Sequence, residues 1–206
     1  MPSDTFLRLN NEKKKKLLDA SFKEFSLNNF NDVSINRIIK EAGIPRGSFY
    51  MYFEDKKDLY FYLLEQYGEI LVDNMKKDLI KNKGDLFKMF QDNIEESYNS
   101  FKNDNINFFK KSLENITIME ESKRTFGFRD KRLLKELIPN INLELLNDKA
   151  KRHIEVIFAI NMHLLMVTLF KLLKEDCLDR KILKDYYEQL DILKYGCSIE
   201  KEIGGV

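Results

Sequence analysis

The stretch from Val33 to Leu59 carries residue types that are suited to binding nucleic acid. Arg46, Gly47 and Tyr50 fall on one arc of a helical wheel, so a helix over these residues would present them together. The spacing therefore predicts a short helix that is polar on the face that could meet DNA.

Two lysines stand where a helix disfavours positive charge. Lys56 and Lys57 fall in the first turn of a predicted fourth helix, where the dipole costs a cation about 0.3–1 kcal/mol. Free backbone N–H groups beside an ammonium group suit a phosphate, so we expect this turn to contact the DNA backbone. The run from Lys13 to Lys16 leaves two interpretations open, a phosphate-facing patch or a solvated helix surface.

Residues that could perform other chemistry are few. His153 and His163 are ten residues apart, about 80° off a common helical face, and lie in no zinc-binding context. Cys177 and Cys197 match no zinc or redox motif, so we expect two reduced thiols. No Ser-His-Asp order, glycine-rich phosphate loop or pair of carboxylates stands out. The sequence therefore predicts no enzymatic activity, no metal and no cofactor.

The elements that must position this polar face are two short helices joined by a tight turn. Ser34 is a good N-cap for the second helix, and Gly43 ends that helix. Pro45 suits the first turn of a third helix that runs to about Tyr52. This is the helix-turn-helix plan, in which one helix enters the major groove and the other braces it. The apolar positions that would pack inward are Ile35, Ile38, Ile39, Ala42, Phe49 and Phe53.

Helical spacing continues through the rest of the chain. Only three Pro and eight Gly occur in 206 residues, and so little turn chemistry favours helices over many strands. Asp55 can cap a long fourth helix. Further helices are predicted at about Asp85–Phe101, Asn105–Glu121, Arg129–Ile138, Asp148–Glu175 and Asp179–Ser198. We predict an all-α fold.

The natural domain boundary lies near residue 55. We expect a three-helix, helix-turn-helix DNA-binding domain over residues 1–55, followed by a larger helical effector-binding and dimerisation domain over residues 56–206. The net charge of +1 is unevenly divided, because residues 1–57 carry 11 Lys and Arg against 8 Asp and Glu, and the remainder carries 24 against 26. This slightly basic head permits DNA binding without accounting for its specificity.

The most apolar stretch runs from Val156 to Phe170 and is interrupted by Asn161, His163 and Thr168. It is shorter than the roughly 20 residues that a helix needs to cross a bilayer, so we expect a buried helix and no membrane. The N-terminal residues contain no apolar signal-peptide core, which favours a cytoplasmic location.

Three consecutive motifs carry a resemblance to a known family. They read LLDASFKEFSLNNF, SINRIIKEAGIPRGSFYMYF and EDKKDLY, and together they cover roughly residues 13–60. The combination resembles the tetracycline-repressor (TetR) family of bacterial transcription regulators. The rest of the chain is similar to that family only in length and in being helical.

The resemblance implies a role for each matching residue in DNA binding. Arg46 would read a base edge, plausibly guanine, Gly47 would allow close approach, and Lys56 would hold a phosphate. Ser34 would cap the second helix and touch a phosphate. The full set of expected DNA-binding positions is Ser34, Pro45, Arg46, Gly47, Ser48, Tyr50, Tyr52 and Lys56.

Two residues depart from the pattern of the family. Ile39 stands where a small alanine is usual, which implies different local packing of the second helix. Tyr52 stands where histidine is frequent, and either type can donate a hydrogen bond to a phosphate. Neither departure removes the resemblance.

The family resemblance also implies an effector pocket in the larger domain and a twofold homodimer built from the last two helices. Aromatic residues and methionines would suit a flat or apolar ligand, although most such residues also fill ordinary cores. The candidate effector-binding residues are Phe61, Phe90, Tyr98, Phe109, Phe158, Met162, His163 and Met166.

We therefore expect a ligand-responsive regulator, most simply a repressor, that binds a near-palindromic duplex operator and is released by a small apolar or aromatic effector. Two alternatives stay open from the sequence. One is an activator, or a regulator of the same fold that responds to a partner protein. The other is a helical protein-interaction module that does not bind DNA.

Overall fold

The computed structural model describes residues 2–102, 107–114, 131–174 and 179–198. These residues form helices and no β-strand, apart from one isolated antiparallel bridge between Leu146 and Ser198. The predicted all-α class is therefore confirmed. The helices are α1 (Asp4–Leu7), α2 (Asn11–Leu27), α3 (Ile35–Ala42), α4 (Arg46–Tyr52), α5 (Lys56–Lys81), α6 (Leu86–Lys102), α7 (Asn107–Glu114), α8 (Lys131–Leu137), α9 (Asp148–Arg152), α10 (Ile154–Lys174) and α11 (Arg180–Cys197).

The described residues divide into two compact units. The first contains residues 2–70 and 107–114, and the second contains residues 71–102, 131–174 and 179–198. Helix α5 contributes its first half to one unit and its second half to the other. The chain first passes from one compact unit to the other after residue 70, whereas the sequence predicts a domain boundary after residue 55. The predicted boundary stays a prediction.

Local signals explain the two short helices of the first unit. The Ser34 hydroxyl accepts a hydrogen bond from the backbone N–H of Arg37, which caps the start of α3. Gly43 ends α3 in the left-handed region at φ 67°, where a residue with a Cβ would be strained. Pro45 is the N-cap of α4 and precedes the first helical residue, one position earlier than the sequence suggested.

The core of the first unit is strongly aromatic. Phe25 and Tyr60 stack with ring centroids 5.1 Å apart, and Phe22 meets Phe108 edge-on at 4.9 Å. Because Phe108 lies on α7, this later helix completes the core of the N-terminal unit.

The N-terminal segment contains a helix that the sequence did not predict. Phe6, on the four-residue helix α1, is fully buried, and its ring lies 4.8 Å from that of Phe53 and 5.4 Å from that of Tyr62. The backbone N–H of Ser3 donates to the carbonyl of Tyr52 at 2.9 Å, and its hydroxyl donates to the carbonyl of Met51. We call residues 2–9 the N-terminal strap.

The second unit is built around α6, α10 and α11. The rings of Phe90 on α6 and Phe158 on α10 lie 5.5 Å apart, and the buried hydroxyl of Tyr186 on α11 donates to the carbonyl of Phe90 at 3.2 Å. These contacts join three helices through one residue of α6.

Most of the helices that the sequence predicts after residue 85 are observed, with some differences in their bounds. The helix predicted over Asp148–Glu175 is divided at His153, whose backbone leaves the helical region, so that α9 and α10 are separate. The helix predicted over Arg129–Ile138 is described as α8, followed by one 3-10 turn at Ile138–Asn140. The predicted helix Asn105–Glu121 is described only over Asn107–Glu114, and its remainder is outside the described residues.

The apolar helix α10 is longer and more exposed than expected. It has 21 residues, and its stretch Ile154–Leu173 is long and apolar enough to cross a membrane, with a mean hydropathy of 2.0. The expected length was too short, because the apolar stretch continues past Val156 and Phe170, and the expected buried helix is only partly buried, since 39% of the apolar window is buried. Core helices of soluble proteins have the same length and composition, so this helix is weak evidence for a membrane.

Candidate nucleic-acid interface

Helix α4 has one face turned to solvent and one face in the core. Phe49 and Phe53 are buried, whereas Arg46 and Gly47 are exposed and Tyr50 keeps about half of its surface accessible at 49%. The buried phenylalanines hold the helix against the first unit, so the face carrying the arginine is fixed towards solvent. This arrangement can present a polar surface to a DNA groove.

The guanidinium group of Arg46 has two neighbours in this surface. Its Nη1 donates to Oδ1 of Asn36 at 2.9 Å, which links α4 to α3. Its central carbon lies 5.9 Å from the centroid of the Tyr50 ring. Sequence reasoning missed Asn36, because the two residues lie ten positions apart on different helices.

The other residues expected on α4 lie in more varied surroundings. A Cβ built at Gly47 meets no heavy atom within 4 Å, so the helix surface is open there. Ser48 is half-buried, and Pro45 is exposed beside it. The half-buried ring of Tyr52 lies 6.0 Å from that of Phe6, so this tyrosine packs against the N-terminal strap. The contacts of these four residues with DNA stay predictions.

Lys56 is held inside the first unit. Its ammonium group donates to the backbone carbonyls of Asn31 at 3.1 Å and Val33 at 3.2 Å, and it lies 4.8 Å from the ring centroid of Phe30. Burial lowers the pKa of Lys56, and the nearby charge of Asp32 partly offsets this effect. The lysine therefore braces the loop before α3, and the predicted phosphate contact is left with at most one N–H of the ammonium group.

A buried carboxylate organises the start of α3. Glu24 on α2 accepts hydrogen bonds from Nε of Arg37 at 2.8 Å and from the backbone N–H of Ser34 at 2.9 Å. Arg37 also donates from Nη2 to the carbonyl of Asp32 at 2.7 Å. Burial alone would raise the pKa of Glu24, but the hydrogen bonds from Arg37 and Ser34 outweigh it and hold the pKa below its usual value.

The lysine run at the start of α2 is divided between two environments. Lys14 donates to the carbonyl of Leu7 at 3.2 Å and lies 5.4 Å from the ring centroid of Phe6, so it secures the N-terminal strap. Lys16 pairs with Glu12 at 2.8 Å on the surface. Lys13 and Lys15 are exposed. Both earlier interpretations of the run stay open for these last two.

The expected effector-binding residues belong to both compact units. Phe61 lies in the core of the first unit, and the side chain of Phe109 on α7 is outside the described residues. Six candidates belong to the second unit. Among them Met166 is half-buried and His163 is exposed, while the buried ones are Phe90, Tyr98, Phe158 and Met162.

One buried polar group stands out on α10. Asn161 is fully buried, and its amide nitrogen donates to the carbonyl of Ile157 at 2.8 Å. Its Oδ1 is buried without a hydrogen-bond partner among the described residues. A buried acceptor without a donor is costly, so a bound molecule that supplies one would be favoured here.

Metal-binding arrangements are absent from the part of the chain that the structure describes, where no group of three His, Cys, Asp or Glu residues lies close enough to hold an ion. Cys197 is a free, half-buried thiol, and Cys177 lies outside the described residues.

Comparison with known proteins gives two family matches along the chain. Residues 17–63 match the family of bacterial regulatory proteins described as the tetR family, and residues 85–197 match the tetracyclin repressor-like C-terminal domain. The second match alone covers more than half of the chain. The first match lies within the first compact unit, and the second covers α7 and most of the described residues of the second unit.

Curated relatives match over a short region. The chain is 38% identical over 56 residues to the uncharacterized HTH-type transcriptional regulator YdgC of Bacillus subtilis, which is 27% of this chain and 29% of that protein. It is 32% identical over 66 residues to an HTH-type transcriptional regulator of Staphylococcus aureus strain USA300, which is 32% of this chain and 36% of the relative. The aligned region thus spans about a third of the length of these relatives.

A solved structure supports the fold across most of the chain. The transcriptional regulator FadR from Bacillus subtilis, solved in complex with stearoyl-CoA, has a TM-score of 0.53 at 16% identity over 88% of this chain and 98% of its own. At this identity the likeness concerns the fold alone. A regulator from Chloroflexus aurantiacus aligns over 97% of this chain and 100% of its own at 28% identity, with a TM-score of 0.43.

Proposed function

The chain belongs to the TetR family of bacterial regulatory proteins, and from this premise we propose that it is a ligand-responsive regulator that binds operator DNA. We propose that it represses transcription in the cytoplasm and is released from a near-palindromic operator by a small apolar or aromatic effector. The expected absence of enzymatic activity agrees with a family of regulators.

The observation that carries the DNA-binding part is the exposed face of α4. Arg46 and Tyr50 lie on the outer face of this helix, while Phe49 and the C-cap residue Phe53 are buried, and the helix follows α3 through the turn at Gly43. Such a pair of helices can place its second member in the major groove, where an arginine can recognise guanine.

A second observation favours a homodimer. On α10, an apolar stripe is exposed at spacings of four, seven and three residues, formed by Val156, Ile160, Val167 and Phe170. On α11, Ile192 and Tyr195 are also exposed. Contiguous exposed apolar surface on long helices marks an interaction site, and a twofold dimer would bury the same surface on both copies.

Support for an effector comes from the interior of the second unit. Asn161 offers an unpartnered buried acceptor on a helix that also carries the buried Phe158 and Met162. We propose that the effector is mainly apolar and supplies one hydrogen-bond donor to Asn161. The exposed His163 lies on the apolar stripe of α10 and suits the proposed dimer surface better than a closed pocket.

The proposed switch uses helix α5, which is continuous from Lys56 to Lys81. A displacement of this helix on effector binding would act at Lys56, because its ammonium group is hydrogen-bonded to the carbonyls of Asn31 and Val33 before α3. The two recognition helices of a dimer would then no longer match two half-sites at once, and operator affinity would fall.

The direct test is selection of binding sites from a randomised duplex library by the wild-type chain. We expect enrichment of a near-palindromic sequence, and we expect Arg46→Ala to lose discrimination at one base pair of each half-site by about 5–150-fold. Promoter-reporter assays with the selected site would then separate repression from activation. Failure of the wild-type chain to enrich any sequence at low salt would favour a protein-interaction module.

A further inference from the structure

We propose that Asn36 is a positioning residue that sets the base specificity of Arg46. This inference rests on the proposed DNA binding and assigns the selectivity of that surface to a pair of side chains from two helices. Asn36 would act by holding the guanidinium group in one orientation before DNA arrives.

The geometry leaves the rest of the guanidinium group available. Arg46 has five N–H donors, and the contact with Oδ1 of Asn36 at 2.9 Å uses one of them, on Nη1. The Tyr50 ring, with its centroid 5.9 Å from the central carbon, limits the group from a second side. Nη2 and Nε remain to donate in parallel to the O6 and N7 atoms of a guanine.

The acceptor itself is held by a rigid element. Asn36 lies in the first turn of α3, directly before Arg37, whose side chain is bound to the buried carboxylate of Glu24. Ser34 caps the same turn. The Glu24–Arg37 pair and the cap therefore hold the backbone at Asn36, although its side chain is exposed.

Such an arrangement affects specificity more than general affinity. A free surface arginine samples many rotamers and can turn towards a phosphate, which gives affinity without sequence information. An arginine held at one nitrogen loses less conformational freedom on binding and presents its remaining donors in one register. Among the described residues, Arg46 is the hydrogen-bond partner of the Asn36 side chain.

The alternative is that Asn36 contacts DNA directly and independently of Arg46. The two possibilities differ in how the residues combine. A positioning residue has no effect once Arg46 is removed, whereas an independent contact contributes in either background.

The test measures affinity for the selected operator and for a duplex in which the base pair read by Arg46 is replaced. Four chains are compared, which are the wild type, Asn36→Ala, Arg46→Ala and the double variant. Asn36→Asp retains an acceptor for Arg46, and Asn11→Ala is a matched control at an exposed asparagine on α2. Thermal unfolding of each chain checks that the fold is retained.

We expect Asn36→Ala to reduce the affinity ratio between the two duplexes about 3–10-fold, with an unchanged melting temperature, and we expect no further effect in the Arg46→Ala background. Asn36→Asp should keep most of the ratio, and Asn11→Ala all of it. An unchanged ratio in Asn36→Ala, or equal losses in both backgrounds, would overturn the proposal. If the wild-type chain selects no operator at all, the proposed DNA binding itself fails, and this inference fails with it.

Discussion

At the scale of single residues, several charged side chains of the first unit form hydrogen bonds with other groups of that unit. Lys56 and Arg37 both donate hydrogen bonds to backbone carbonyls between Asn31 and Val33. Glu24 accepts hydrogen bonds from the Arg37 side chain and from the backbone N–H of Ser34. These cations therefore shape the loop before α3. Arg46 and its partner Asn36 lie on the exposed surface, where the proposed contact with DNA would be made.

Glu24 gives a stability that depends on pH. Its pKa lies below the usual value of 4.5 in the folded chain, because hydrogen bonds from Arg37 and Ser34 outweigh the effect of burial. A carboxyl group with a lowered folded pKa stabilises the fold fully above its unfolded pKa, and this contribution disappears as the pH falls through the folded pKa. The relevant window is therefore below about pH 4.5.

We predict that Glu24→Gln lowers the free energy of unfolding by about 1–3 kcal/mol at neutral pH, since a charge-assisted acceptor becomes a neutral one. The difference in the free energy of unfolding between this variant and the wild type should shrink in urea titrations carried out well below pH 4.5. Glu41→Gln is the matched control, because Glu41 pairs with Lys23 at 2.6 Å on the exposed surface and should contribute less than about 1 kcal/mol. A loss that is the same at both pH values would contradict this role.

At the scale of elements, helix α4 is held at three places. Its N-terminus follows the turn at Gly43, its inner face packs into the aromatic core, and its C-terminal carbonyls at Met51 and Tyr52 accept hydrogen bonds from Ser3. The last contact comes from the N-terminal strap, which precedes the family match at residues 17–63. The strap thus adds to the support of a seven-residue helix that has no side-chain cap of its own.

We predict that Phe6→Ala lowers the free energy of unfolding by about 3–5 kcal/mol, because it empties a fully buried position between α4 and α5. Operator affinity should fall with it, since the end of α4 loses its support. Leu7→Ala is the control, as the neighbouring Leu7 is 53% exposed and should change stability little. Chemical unfolding of both variants measures the difference, and equal effects would contradict a bracing role for the strap.

The sequence predicted those elements whose signals are local. Ser34, Gly43 and Pro45 mark the helix-turn-helix boundaries within a residue, because caps and breakers act on adjacent backbone. Helix α1 was missed because four residues are too few to show a helical period. The division at His153 was missed because no glycine or proline marks it.

The site was less predictable than the fold. The exposed arc of α4 follows from helical spacing, but the partners of its residues depend on tertiary contacts. The contacts of Lys56 with carbonyls 23 and 25 residues earlier in the chain have no sequence signal, and its contact with a phosphate stays a prediction. An exposed asparagine such as Asn36 carries no sequence signal that would link it to Arg46.

At the scale of the whole molecule, the proposed recognition of an operator requires two copies of the chain. One seven-residue recognition helix reads few base pairs, so specificity needs a second half-site about 34–36 Å away. The exposed apolar stripe of α10 supplies a surface that could bring two chains together. Burial of these exposed apolar side chains against a second copy would be favourable in water.

We predict that Ile160→Asp produces a monomer, because it places a charge in the middle of this stripe, where Ile160 is 46% exposed in the single chain. Ile80→Asp is the control, since Ile80 on α5 is 68% exposed and lies outside the stripe. Sedimentation of the free proteins at micromolar concentration measures the difference. A dimeric Ile160→Asp chain would place the interface elsewhere.

The central claim is that this chain binds a specific duplex as a dimer through Arg46. The most direct measurement is the mass of the complex formed with the selected operator, obtained by sedimentation for the wild type, Arg46→Ala and Ile160→Asp. We predict two chains per duplex for the wild type and strongly reduced complex formation for both variants. A wild-type complex with one chain per duplex, or binding that survives Arg46→Ala with full selectivity, would contradict the account.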